Sequence, residues 1–173
     1  DITLTSCATP IINAPAAADP FASIPFPATP SGANKSDAGN PLNPGKYAGM
    51  TLQNTKTLNP GEYHIISGTF KVNANADITG NGVTFFMYPG TTININGSAL
   101  MNLTAPTTGV YAGMLFYAHS GMTNDVTFNG NSSSLLTGAL YFPSAEVTYS
   151  GNFSGLGGCT QVVAAAVHWT GSS

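Results

Sequence analysis

A short strand pattern that closes on glycine recurs along the chain, and it constrains the fold more than any other feature. It occurs at Asp77-Ile78-Thr79-Gly80-Asn81, Ile93-Asn94-Ile95-Asn96-Gly97, Val126-Thr127-Phe128-Asn129-Gly130, Val147-Thr148-Tyr149-Ser150-Gly151 and Val167-His168-Trp169-Thr170-Gly171. The glycines step by 17, 33, 21 and 20 residues; 33 reads as close to two rungs, with Gly113-Met114-Leu115-Phe116-Tyr117 filling the gap. Apolar residues alternate with polar ones inside each unit, so Ile93/Ile95, Val126/Phe128, Val147/Tyr149 and Val167/Trp169 share one face. One such strand cannot bury its apolar face alone; stacked copies can. The expected fold is all-β, a right-handed parallel β-helix or solenoid. A β-sandwich is the alternative, because it too uses short, regularly spaced strands.

Proline divides the chain. Eight of its 12 prolines lie within the first 44 residues, a density that breaks both helices and central strands. Residues 1–43 therefore read as an extended arm and residues 44–173 as the solenoid body, one domain in all. The arm carries Ile11, Ile12, Phe21, Ile24 and Phe26, which a free tail would not need, so it is expected to wrap along the body. The body opens on two echoed turns, Asn43-Pro44-Gly45-Lys46-Tyr47 and Asn59-Pro60-Gly61-Glu62-Tyr63. Pro-Gly is turn chemistry with glycine at positive φ. Asparagine suits the other corners, because it tolerates left-handed backbone and can form ladders between rungs.

Composition removes several function classes. Only 6% of the 173 residues are charged, the net charge is -3, and all four cations are lysines. Without a basic stripe the chain is not expected to bind nucleic acid. Nine Phe, seven Tyr and one Trp supply more burial than a disordered chain has. No apolar run reaches the ~20 residues of a membrane helix, and the chain opens on Asp1 as a mature or trimmed fragment would.

Cys7 and Cys159 are the two cysteines, too far apart for a zinc or CxxC motif. Either they form a disulfide tying the arm to the C-terminal part, or they are buried free thiols; the low charge and the Ser/Thr/Asn content favour an oxidising compartment and the bridge. Asp77, Asp125 and Glu146 are the carboxylates that a polysaccharide-acting β-helix enzyme would need to bring together. At strand corners, short polar side chains more often satisfy turn amides. His64, His119 and His168 share no ligand spacing and read as surface or capped histidines. No catalytic residue, metal or cofactor is expected, and the chain is not expected to be an enzyme.

Consecutive aromatic and apolar residues at Phe85-Phe86-Met87-Tyr88, Tyr111 to Tyr117 and Leu140-Tyr141-Phe142 must place half their side chains outward. The arm is expected to cover that outer face. The alternative is a contact or adhesive surface made by Phe86, Tyr88, Tyr111, Tyr117 and Tyr141. Ice binding needs flat threonine arrays; Thr55-Lys56-Thr57 and Thr91-Thr92 do not repeat at the rung period.

The order of Asp19-Pro20-Phe21-Ala22-Ser23-Ile24-Pro25, Pro44-Gly45-Lys46-Tyr47-Ala48-Gly49 and Leu58-Asn59-Pro60-Gly61-Glu62-Tyr63 resembles the C-terminal domain of TadE/TadG-like pilus-assembly proteins. Leu103-Thr104-Ala105-Pro106, Leu136-Thr137-Gly138-Ala139-Leu140-Tyr141-Phe142-Pro143 and Cys159-Thr160-Gln161 continue the likeness over residues 7–173. The resemblance implies a bacterial envelope protein of the tight-adherence (Flp-type) pilus system, outside the cytoplasm, held to the membrane through an N-terminal anchor. It carries over no catalytic residues. The expected role is a structural or adhesive module whose partners are other pilus or envelope subunits, with surface glycans as a further class. An ice- or carbohydrate-binding surface protein is the alternative, and a polysaccharide-acting enzyme the second.

Overall fold

A computed structural model of the chain describes residues 18–130, 133–151 and 159–170. These form 13 strands and no helix. All strand pairs are parallel, and the chain winds as a β-solenoid of about five turns with three sides. The first side stacks β3 (Thr55–Leu58), β6 (Asp77–Asn81), β9 (Leu100–Thr104) and the start of β12 (Leu135–Gly151). The second stacks β1 (Gly45–Tyr47), β4 (Gly61–Ile65), β7 (Val83–Met87), β10 (Met114–Ala118), the middle of β12 and the first half of β13 (Thr160–Thr170). On the third lie β2 (Met50–Leu52), β5 (Thr69–Val72), β8 (Thr92–Ile95), β11 (Val126–Gly130) and the ends of β12 and β13.

Alternation decides what fills the interior. Ile93, Ile95, Val126, Phe128, Val147 and Tyr149 point inward and are buried, while Thr92, Asn94 and Thr127 point out. Aromatic rings from five coils form a column through the core, Tyr47–Tyr63–Phe85–Phe116–Phe142, with successive centroids 6.1, 5.4, 4.9 and 6.3 Å apart. Separations in that range suit stacked and tilted aromatic pairs, and each large ring also removes apolar area from water.

The corners follow their residues. Gly45 and Gly61 adopt φ of 143° and 134°, and a Cβ on Gly61 would lie 2.5 Å from Pro44 Cγ, so the two Pro-Gly turns stack only because the second carries glycine. Asn54 and Asn75 take left-handed φ of 57° and 59°. The first coil is closed from outside by the arm. Lys35 N donates to Lys46 O, Thr51 N donates to the Asp37 carboxylate, and Leu42 bridges to Leu58. The buried Lys56 Nζ donates to the carbonyls of Asp37, Ala38 and Gly39 at 3.0, 3.0 and 2.5 Å.

Two readings of the repeat are corrected. Asn94 pairs with Thr127, so the long step is one coil and not two; loops after β9 and β10 lengthen that coil, and β10 is one of its sides. The Asp77–Asn81 unit lies on the first side, whereas the other four glycine units fall on the third. Similar local chemistry serves two different corners. Leu42 already pairs within the first coil, two residues before the residue taken as the start of the body.

Candidate functional site

The second side carries an outward column in which Lys46, His64, Phe86, Tyr117, Tyr141 and Val163 are each paired with the next. Tyr88 and Tyr111 flank it. These aromatics are not an open surface: the arm lies on them. Phe86, Tyr88, Tyr117 and Tyr141 are buried in a cluster with Met114 and Ala139, against which Phe21, Ile24, Phe26 and Tyr111 pack. Thus Phe86, Tyr88, Tyr111, Tyr117 and Tyr141, named above as a contact surface, contact the chain's own arm. Their outward aromatic area would be costly to leave in water, and the arm covers it.

The polar part of this contact is one-sided. Tyr117 Oη donates to Ile24 O (2.5 Å), Tyr111 Oη to Pro25 O (3.2 Å) and Tyr88 Oη to Pro27 O (3.3 Å), while Tyr141 Oη donates to the Asp19 carboxylate (2.7 Å). Phe26 stands edge-on to Phe86, Tyr88, Tyr117 and His119, with centroids 5.8, 4.9, 5.2 and 4.9 Å away. Burial holds the phenols of Tyr88, Tyr111 and Tyr117 above their ordinary pKa. Tyr141 is raised by burial first and then by its bond to, and the charge of, Asp19. All four remain protonated donors at neutral pH.

His64, read from sequence as a surface or capped residue, is buried. Its ring stacks on Phe86 at 4.8 Å, Nδ1 lies 3.2 Å from Tyr88 Oη, and Nε2 lies 3.4 Å from the half-exposed Glu62 carboxylate. Burial lowers its pKa; Glu62 opposes this through charge and a hydrogen bond. Beside it a cavity of about 130 Å³, lined by Glu62, Thr84, Pro106, Thr108 and Tyr111, falls well below the ~300–1,000 Å³ of a ligand pocket.

Of the three carboxylates, two become neighbours and one lies apart. Asp125 and Glu146 sit on adjacent coils of the third side, where Asp125 Oδ1 accepts the Glu146 backbone N–H (3.2 Å) and Glu146 lies 3.4 Å from His168 Nε2. Asp77 pairs in the first side, away from them. Among the described residues no group of three or more His, Cys, Asp or Glu side chains could hold a metal ion. His119 Nδ1 accepts the Gly121 N–H in its own turn.

Among the described residues the outward side chains of the third side are half-exposed to exposed and those of the first mostly half-buried, and both sides carry polar cross-coil pairs. On the first, Thr57 and Thr79 hydroxyls lie 3.4 Å apart, Thr104 donates to Asn81 (2.8 Å) and Asn59 to Asn43 (2.8 Å). On the third, Thr69 and Thr92 meet at 2.8 Å, Asn73 donates to Gln53, and Ser150 bonds Asn129. Threonines therefore do pair across rungs, at intervals of 22 and 23 residues.

Along its edges β13 pairs only with β12 among the described residues. Trp169 points inward and stacks on Tyr149 at 4.6 Å, yet is 67% exposed, with no further coil over it among the described residues. Cys159, at the start of this strand, is an exposed free thiol, not a buried one; Cys7 lies outside the described residues, as does the bridge read between them.

Fold and site together define a β-solenoid with sparsely charged, polar outer faces and an aromatic groove filled by its own proline-rich arm. Comparison with protein-family models, with curated proteins and with solved structures gave no match to the chain.

Proposed function

We propose that the protein is a non-enzymatic structural or adhesive module of a bacterial cell-surface pilus or of its assembly apparatus, working outside the cytoplasm. One observation carries this reading: the first and third sides present cross-coil ladders of Thr, Asn and Ser on a stack of parallel strands. Short side chains already bonded to one another lose little conformational entropy when a second surface docks. With few charges, neighbouring subunits or a hydrated surface can approach without strong repulsion. The resemblance to TadE/TadG-like proteins supplies the pilus context.

The aligned threonines favour a second reading, an ice- or carbohydrate-binding surface, since a flat ladder at strand spacing also suits a regular hydroxylated lattice. The test is co-sedimentation of the protein with appendages sheared from cells, beside parallel assays on cellulose, chitin and ice. Association with appendages that is weakened by Thr79→Lys and Asn94→Lys supports the module. Binding to a polysaccharide or to ice alone supports the second reading. Release of reducing ends from any polysaccharide contradicts both.

A further inference from the structure

The arm is held as a ligand is held. Residues 18–34 make no backbone-to-backbone hydrogen bond with the body among the described residues; the first such bond belongs to Lys35. Instead, tyrosine hydroxyls reach the carbonyls of Ile24, Pro25 and Pro27, and Phe26 fills an aromatic niche between two prolines. Aromatic grooves recognise extended proline-rich segments by this chemistry: the prolines offer carbonyls without N–H groups, and their fixed backbone loses little entropy on docking.

The segment behind this ligand is exposed and loosely packed. Ser31, Gly32, Ala33 and Asn34 are exposed, and Gly32 sits at φ +87° with no atom within 4 Å of where its Cβ would be. Beyond it, Lys35, Asp37 and the carbonyls around Lys56 stay fixed to the first coil. Seven residues, 28–34, span up to about 25 Å when extended. The arm can therefore leave its groove without uncapping the first coil.

We propose that the aromatic groove is a peptide-recognition site which, in the assembled state, takes residues 19–27 of a second copy, so that subunits are linked by arm exchange. The second copy is the occupant because the segment that fits the groove is already visible in it. A tether of this length holds the chain's own arm at an effective concentration on the order of millimolar. In dilute solution the groove is filled from within; in a packed array a neighbour's arm competes on equal terms. This deepens the structural-module reading and rests on it for the array.

The full-length chain tests the proposal in two steps. First, a fluorescein-labelled peptide of residues 18–30 is titrated by anisotropy against the Phe26→Ala protein and the unmodified protein. Phe26→Ala is expected to bind the peptide at least about 10-fold more tightly, because its own arm competes poorly; the same peptide carrying Phe26→Ala is expected not to bind. Second, Phe26→Ala (groove intact, arm crippled) is mixed with Tyr117→Ala (arm intact, groove crippled) and sized by light scattering. A 1:1 heterodimer, with each variant monomeric alone, supports exchange. Tyr117→Phe replaces Tyr117→Ala as donor if circular dichroism shows the latter unfolded.

Equal peptide binding by both proteins, or none by either, overturns the recognition site. Peptide binding without a heterodimer overturns exchange and leaves the arm an internal strap. The appendage reading fails separately, through loss of co-sedimentation, and that result does not change the peptide titration.

Discussion

Lys56 is a buried cation that closes the first coil, and its replacement by methionine isolates that role. The substitution keeps the unbranched stem beneath residues 37–39 and removes the ammonium with its three bonds to the carbonyls of Asp37, Ala38 and Gly39. Three charge-assisted bonds at roughly 1.5–3 kcal/mol each would suggest more than about 5 kcal/mol. Two effects reduce the figure. Ala38 and Gly39 are exposed, so their freed carbonyls regain water, and the desolvation cost of the ammonium disappears with it. The expected net loss is about 2 kcal/mol, which lowers Tm by roughly 4–8 °C for a chain of this size. Urea unfolding gives the energy, and hydrogen exchange gives the location. Protection should fall at the amides of Thr51 and Thr57, which bond to Asp37 and Asn40 in the capping segment, and stay unchanged in β10 and β12. A loss under about 0.5 kcal/mol, or an exchange change centred on the later coils, would refute the capping role.

Three further outcomes follow from the packing. Phe85→Ala, which removes the ring touching Tyr63, Phe70 and Phe116, should cost about 3–5 kcal/mol in urea unfolding. Gly61→Ala should destabilise clearly more than Gly90→Ala in thermal melts: both have positive φ, but only at Gly61 would the new Cβ meet a neighbour, Pro44 Cγ at 2.5 Å, whereas nothing lies within 4 Å at Gly90. For His64, burial depresses the folded-state pKa below 6.5, so its contribution to stability is present above that pH and is lost as pH falls below it. The protein should therefore lose more stability than its His64→Gln variant between pH 7 and pH 5, and equal slopes would contradict the buried, neutral imidazole.

Much of the fold is legible in the chain because period-2 alternation, Pro-Gly turns and Asn corners report strictly local geometry. Ile93/Ile95 and Val147/Tyr149 could only point one way once their strands were recognised, and the proline-dense arm had apolar residues that required a surface. Coil length is not local. The segment between Asn94 and Thr127 reads as two rungs because loop insertions add residues without adding strands. The burial of His64 and Lys56 is equally hidden: each becomes interior only when a segment distant in sequence, Phe86 and Tyr88 for His64 and residues 37–39 for Lys56, packs against it. Asp125 and Glu146 meet through cross-coil register, which no spacing rule in the sequence encodes. For the groove, the signal was present in Phe26 between two prolines and in the outward-facing tyrosines; what joined them was the path of the arm.

Register between coils is the claim on which groove, ladders and cap all depend, and paired nitroxide labels measure it directly. In a Cys7→Ser/Cys159→Ser background, labels are placed at Thr57 and Thr79, which are paired neighbours on the first side. A second pair is placed at Thr57 and Thr127, on different sides of the solenoid. Parallel in-register strands about 4.8 Å apart should give a strongly spin-broadened continuous-wave spectrum for the first pair and far weaker coupling for the second. Sharp, uncoupled lines from the Thr57/Thr79 pair in a folded protein would contradict the stacked-coil architecture.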